Sequence, residues 1–323
     1  MDCNRARIGI LRLGAALALC QSAIAAAPVP ELRAARWLAP ETRARALSER
    51  PAECYMPPAD PAVRASAETG RAAFRTPLLL GGQAARAGLS CESCHRAGRG
   101  NPDFLFAGLS GAPGTADVTS SLMSSHRGNQ VFDPRPIPDL AMPGKVSRAP
   151  ADPALRNFIR GLVVEEFDGA EPSSRVLDGL AAYVRALDTT ACGRDQTAVV
   201  VLRDQRDDIA RARTAALVAL AADDAATARL MIAAMRTALG QIDERYAVKG
   251  LGAHRDALRT ADRELLAIQQ ALHRGQGDAA SQLRGWRNPA EAAAFVRDEP
   301  RSLYNSAVLR RLYSAPEAAA RRP

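Results

Sequence analysis

An all-α fold in two parts is what this 323-residue sequence predicts, on three observations. Composition changes near residue 195, from a half punctuated by Gly and Pro to one dominated by Ala, Leu, Arg and acidic residues. In the second half apolar residues recur at spacings of three and four, the period of a helix face. Capping residues stand where that period breaks. A chain of this length accommodates two modest domains.

The first element is a leader. Residues 1–25 open with Arg5, Arg7 and Arg12, continue through the apolar run "LGAALALCQSAIAAA" and reach Ala23-Ile24-Ala25, a small-x-small cleavage pattern. This predicts a secretory signal peptide cleaved near Ala25 and an exported, periplasmic protein. The run is shorter than the ~20 apolar residues that span a bilayer. Cys20 in "LALC" resembles a lipoprotein signal, but Leu19 stands where such signals carry a small residue. Residues 26–55, with several prolines and arginines, are expected as an extended lead-in.

Residues 56–195 form the next expected domain. The stretches "GGQAARAG", "GAPGTAD" and "FDPRPIPDLAMPG" argue for a loop-rich region with a few helices. Within it, "GLSCESCHRAG" places Cys91 and Cys94 three positions apart with His95 directly after. C-x-x-C-H is the attachment signature of haem c, in which both thiols add to the haem vinyl groups and the histidine binds iron. A thioredoxin-type dithiol would want a βαβ setting, and a zinc site would want a second close Cys or His pair; neither is visible. Cleavage of the leader removes Cys3 and Cys20, which leaves Cys54 and Cys192 on either side of the haem segment. In an oxidising compartment these two are expected to pair, the alternative being free thiols or an intermolecular bridge. By the chain-entropy argument such a bridge is worth ~4–5 kcal/mol and ties the two ends of the domain together.

Residues 196–323 form the helical part, expected as an antiparallel bundle. Val199, Leu202, Ile209, Ala216 and Leu220 fit one amphipathic helix, and Leu230, Ala234, Ala238, Ile242 and Tyr246 a second. Leu251, His254, Leu258, Ala261, Leu265, Ile268 and Leu272 make a heptad seam. Asp223 or Asp224 offers an N-cap, and Gly250 a C-terminal stop. A shorter helix is expected from Asn288, with Pro289 in its first turn and Glu291 closing a capping box, and another through "SLYNSAVLRRLY". Nothing in this half reads as catalytic; His254 is expected as a seam residue and His273 as a surface residue.

Charge excludes more than it assigns. The leader takes three arginines and one aspartate with it, so the formal charge falls from +8 to about +6. Without a basic run or interleaved aromatics there is no case for nucleic acid. A mildly basic face can steer an acidic redox partner protein or an anionic membrane surface.

The sixth iron position decides the chemistry: Met raises the potential, His lowers it, and an open position admits peroxide or small gases. Met142, 47 residues after His95 in "LAMPGK", is the first candidate; His126, Met123 and no protein ligand are the others.

The stretch "TGRAAFRTPLLLGGQAARAGLSCESCH" resembles the haem-binding start of the bacterial di-haem cytochrome c peroxidases and their relatives that mature methylamine dehydrogenase. Gly70, Arg71, Phe74, Leu89 and Ser90 occupy matching positions. "VFDPRPIPDL" and "ALRNFIRGLVVEEFDG...VLDGLAAYVRALD" are similar to later segments of that family, so the resemblance covers residues 68–188. It implies a cytochrome c-like haem domain. Those enzymes carry two haem motifs, and this chain has one. Where their second half places an axial Met or Tyr, this chain reads Leu162, Val163, Val164, Glu165, Glu166. Beside an open iron, Glu165 would be placed as a proton-transfer group; the plainer alternative is a solvated acidic turn.

The expectation is therefore an exported mono-haem c-type cytochrome with covalent haem c, held by Cys91, Cys94, His95 and Met142, that carries single electrons to a redox partner. The alternatives are a peroxidase-like enzyme fed by an external donor, and a haem-based sensor whose helical domain relays ligand binding.

Overall fold

The segments with helical period are helices over most of their length and the structure is mostly helical, broadly all-α, but Val199, expected in the first of these helices, lies in a short strand because residues 197–199 pair with 49–51, and the helix starts at Leu202. The structure is a computed structural model that describes residues 31–119, 123, 125, 131–144, 147–193 and 196–314. The expected signal peptide and His126 lie outside the described residues. Among those described, no helix is long and apolar enough to cross a membrane.

Residues 31–55, expected as an extended lead-in, hold structure of their own. A 3-10 turn at Arg33–Trp37 leads to helix α1 (Arg43–Ser48) and strand β1 (Glu49–Pro51). Leu32, Ala35, Trp37, Leu38, Ala46 and Leu47 are buried, so the apolar residues between the arginines anchor a stretch that its prolines made look open.

Helix α2 (Pro61–Phe74) starts where Asp60 accepts from the amides of Ala62 (2.8 Å) and Val63 (2.9 Å), with Pro61 in the first turn. Short helices α3 (Pro77–Leu80), α4 (Gly82–Ala87) and α5 (Cys91–Cys94) follow. The loop-rich stretch carries one small antiparallel pair, β2 (Thr115–Ala116) with β3 (Arg135–Pro136). Helix α6 (Ala154–Gly161) widens into a π-helical turn at Leu162–Glu166. Helix α7 (Ser174–Arg185) is capped by Ser173, which accepts from Val176 N at 3.2 Å. At its other end Arg148 donates to the carbonyls of Val184 (2.8 Å) and Arg185 (2.9 Å), satisfying groups the helix leaves open.

Helices α2 and α7 cross backbone to backbone. A Cβ on Gly70 would lie 1.9 Å from Gly179 O, and one on Gly179 would lie 2.7 Å from Ser66 O. Only glycine on both sides permits that approach. The crossing seats Phe74 edge-on to Tyr183, with ring centroids 5.2 Å apart.

Strand β4 (Thr197–Val199) returns to pair antiparallel with β1, Arg50 opposite Ala198, and a bridge joins Tyr55 to Leu187. The two ends of the expected domain are thus zipped together. Beyond β4 run three long helices, α8 (Leu202–Ala221), α9 (Ala225–Arg245) and α10 (Gly252–His273). Asp224 is the N-cap of α9, accepting from Thr227 N at 3.0 Å, whereas Asp223 takes the left-handed turn position. Arg236 binds Asp262 and Arg255 binds Asp243, so residues later in α9 meet residues earlier in α10 and the two run antiparallel. Leu251, Leu258, Ala261, Leu265 and Ile268 of the expected seam are buried. Helices α11 (Ala279–Gly285), α12 (Ala293–Asp298) and α13 (Ser306–Ser314) complete the described residues. Asn288 caps a 3-10 turn, Pro289–Glu291, rather than α12 itself, because Ala292 is extended. One continuous apolar cluster runs from Leu32 through Tyr183 and Ile242 to Leu309, joining both halves.

Gly70→Ala should destabilise by about 2–3 kcal/mol, since it overpacks a backbone contact. Gly240→Ala, at a position in α9 where a Cβ meets nothing within 4 Å, should instead stabilise by about 0.5–1 kcal/mol. Urea unfolding of the two variants checks both signs; a Gly70→Ala protein as stable as wild type refutes the close crossing.

Candidate functional site

Ser90 N donates to Ser93 Oγ at 3.1 Å and Ser93 N to the backbone carbonyl of Ser90 at 2.9 Å, and these two bonds close α5 as a single turn. At a spacing of three, Cys91 and Cys94 share one face of it. The chain leaves the helix at His95, turns left-handed at Ala97 (φ 54°), and packs Gly98 so tightly that a Cβ would lie 2.4 Å from Leu187 Cδ1. Asn101 Nδ2 donates to Ser93 O at 2.8 Å and closes the loop.

Cys91 and Cys94 are thiols, half-buried and not bonded to one another. Burial pushes each up to about 12. A redox dithiol needs the opposite shift, so the microenvironment does not suit thioredoxin-type exchange. A zinc site fares no better: among the described residues no group of three or more His, Cys, Asp or Glu is placed to hold a metal ion.

His95 Nδ1 lies 3.0 Å from the carbonyl oxygen of Pro138. That oxygen can only accept, so Nδ1 carries the proton and Nε2 keeps its lone pair. Burial pushes the imidazole down to about 4, outweighing the Pro138 bond, so it is neutral at pH 7. A neutral ring, oriented by a backbone carbonyl at Nδ1, is the form that ligates metal through Nε2. The ring of Phe74 stands 6.5 Å away. No sequence signal pointed to Pro138 as the orienting group, because the contact is made by its backbone.

The segment after Pro138 is bound to the motif. Leu140 N donates to Gly98 O at 3.1 Å, and Arg99 Nε donates to Asp139 Oδ2 at 2.7 Å. Arg99 also reaches the sulfurs of Cys54 (3.0 Å) and Cys192 (3.6 Å), which form the expected disulfide with their Cα atoms 5.1 Å apart. Met142, half-buried, follows in a turn whose amide reaches Asp139 O at 3.3 Å. The loop bearing Met142 therefore comes to the motif at the Nδ1 side of His95. Met123 is buried in the core cluster. Glu165 lies on the π-helical turn.

The positions of the family resemblance all serve this region. Gly70 makes the helix crossing, Phe74 and Leu89 are buried beside the motif, and Ser90 caps it. Arg71 binds Glu53, a carboxylate sequence reasoning passed over. Glu53 also accepts from Arg75 NH2 at 2.9 Å and Tyr183 OH at 2.7 Å. Burial alone would raise its pKa, but Arg75 and Arg71 outweigh it and hold the carboxyl far below the ordinary range. His254 is wedged against the Phe295 ring (4.6 Å) with Nε2 3.2 Å from Asp298, and His273 is exposed, so neither joins the site. No family model matches this chain, and comparison with curated proteins and with solved structures gives no match.

Non-reduced peptide mapping should recover a Cys54–Cys192 linked pair; two freely alkylatable thiols in unfolded, unreduced protein would contradict it. Glu53, depressed in the fold from 4.5, contributes stability that is complete above that pH, declines steadily below it and is lost only as pH falls through its own far lower value. Glu53→Gln should cost about 3–5 kcal/mol at pH 7, because Arg71, Arg75 and Tyr183 lose the charged acceptor they share, and measurably less at pH 3, where the unfolded carboxyl is mostly protonated while the folded one is still ionised. Urea titrations at both pH values read the difference; an equal cost at both would sink the assignment.

Proposed function

We propose that the chain is an exported c-type cytochrome with one covalent haem, and that it passes single electrons to a redox partner protein. The observation that carries this is the Nδ1–Pro138 bond of His95, next to two unbonded thiols on one helical turn. The donor set fits the group: Cys91 and Cys94 would form the thioethers and His95 Nε2 the axial bond. When bound, haem c supplies a one-electron ferrous–ferric couple. The chain's own part is to fix the imidazole, to wall the site with Phe74, Tyr183 and Leu187, and to hold the attachment loop rigid through Arg99. Residues 56–195 are read as a cytochrome c-like domain and 196–323 as an antiparallel helical bundle that gives it a stable support.

Met142 is the proposed sixth ligand. Its loop is held at the Nδ1 side of His95 through Pro138, whereas Nε2 is the atom left for iron. That separation favours, as the second reading, an open position and peroxidase-like chemistry with an external donor. The buried Met123 is the further ligand candidate.

Mass spectrometry of the exported protein should show one haem that survives acid–acetone extraction, and Cys94→Ala should weaken or abolish attachment. With Met142 bound, the ferric protein shows a weak near-infrared charge-transfer band that Met142→Ala removes, and peroxide turnover is negligible. Haem that extracts fully overturns the whole reading. A high-spin ferric spectrum unchanged in Met142→Ala and Met123→Ala, with rapid cyanide binding, transfers it to the peroxidase-like enzyme.

A further inference from the structure

The two faces of the α5 turn look onto different surroundings. Cys91 and Cys94 pack against the core, while Glu92, Ser93 and Arg96 line a cleft of about 1120 Å³ whose opposite wall is built by α8, α9 and α10. This is within reach of the size of small-ligand sites. Its lining mixes apolar residues such as Leu32, Trp37 and Leu239 with charged ones, and among the charged residues arginines outnumber carboxylates.

Most of those charges are spoken for. Glu53 is held by Arg71 and Arg75, Asp204 by Arg50 at 3.1 Å, and Asp262 by Arg236 at 2.8 Å. Glu92, the acid on the motif side, accepts from Ala97 N at 2.9 Å and lies 3.8 Å from Arg75. Among the half-buried arginines of the lining, two are different. Arg96 is half-buried, and among the described residues no hydrogen bond or ion pair reaches its side chain. Arg245 donates to two neutral carbonyls, Leu47 O and Leu303 O, each at 2.7 Å, and lies over the Tyr304 ring at 5.2 Å. No carboxylate among the described residues forms an ion pair with it. Arg50 and Arg245 are the basic groups near Arg96, and Glu92 and Asp103 the acidic ones; Asp103 is already bound by Arg45 at 2.7 Å. Positive charge set in a cleft without its own counter-ion is what an anion site requires, since charge-assisted hydrogen bonds there are stronger than in water.

We propose that this cleft binds a small polyanion, a molecule bearing two or more phosphate or carboxylate groups, with Arg96 and Arg245 as its unpaired cationic contacts. The site lies behind the C-x-x-C-H turn, and its lining includes neither the two thiols nor His95.

Titration calorimetry of the full exported protein, as purified and in low salt, tests this with pyrophosphate and citrate as probes. Saturable one-to-one binding is expected, weakened at least about tenfold by Arg96→Gln. Arg96→Glu should abolish it. Preference for pyrophosphate assigns a phosphate-bearing ligand, and preference for citrate a polycarboxylate. Because the Arg96 guanidinium bonds to nothing among the described residues, both variants should melt, without anion, at or above the wild-type temperature by circular dichroism. The anion should raise the melting temperature of wild type but not of Arg96→Gln. Absence of saturable binding with both probes, or equal binding by wild type and a folded Arg96→Gln, overturns the proposal.

Discussion

Two helices that touch through bare backbone cannot slide. At the crossing of α2 and α7 the approach of Gly70 to Gly179 O leaves no space for even a methyl group, so their relative position is set to a fraction of an ångström. Everything near the candidate site is referred to that point. One turn beyond Gly70, Phe74 reaches the ring of His95; one turn beyond Gly179, Tyr183 reaches Phe74 and donates to Glu53. Glu53 in turn holds Arg71 and Arg75 on the outer side of α2. A helix pair packed through larger side chains would allow several nearly equal arrangements. Glycines remove that choice, at the cost of helix propensity in each partner.

The second constraint is covalent and electrostatic together. Cys54 and Cys192 join the two ends of the segment that carries the motif, and Arg99 lies across their sulfurs while bonding Asp139. Arg99 is buried, which is tolerable for a guanidinium only with a carboxylate and acceptors at hand. It therefore locks three pieces of chain into one arrangement: the loop after His95, the Pro138–Met142 segment, and the disulfide. The bond from His95 to Pro138 O is a consequence of that arrangement. The imidazole is oriented by a carbonyl whose position depends on a salt bridge and a covalent link elsewhere in the loop.

How much of this the sequence revealed follows from what kind of force acts at each place. Periodic burial is local in sequence, so the buried positions of α8, α9 and the Leu251–Ile268 seam, and the Asp224 cap, could be read directly. The Cys54–Cys192 pairing was legible by elimination, because few cysteines lie outside the expected leader and the C-x-x-C pair. The C-x-x-C-H spacing is a local pattern, and the structure sets both thiols on one helical turn with His95 directly after it. Contacts between distant segments were not legible. Glu53 and Arg99 look like ordinary charged residues in sequence, and nothing local says that one will meet two arginines and a tyrosine. Pro138 contributes a carbonyl that every residue possesses, so its identity carries no signal. Residues 31–55 misled because Pro and Arg mark open chain on average, whereas here Trp37 and Leu47 between them are buried and β1 finds its partner about 150 residues later.

The geometry of one helical turn then explains why two kinds of surroundings meet at the motif. A spacing of three sends Cys91 and Cys94 to one side, and residues between and after them, Glu92, Ser93 and Arg96, to the other. Any chain that uses this spacing has such a reverse face; what it packs against is set by the rest of the fold. Here the helices α8 to α10 leave a cleft along it instead of closing over it. A charge at that cleft and a charge on a ligand of His95 would be separated by little more than the turn itself, through protein of low polarisability. Interactions across such a medium are far stronger than across the same distance of water. Occupation of the cleft by an anion and the charge state of the site on the other face would therefore favour or oppose one another, and by linkage each would alter the other equally.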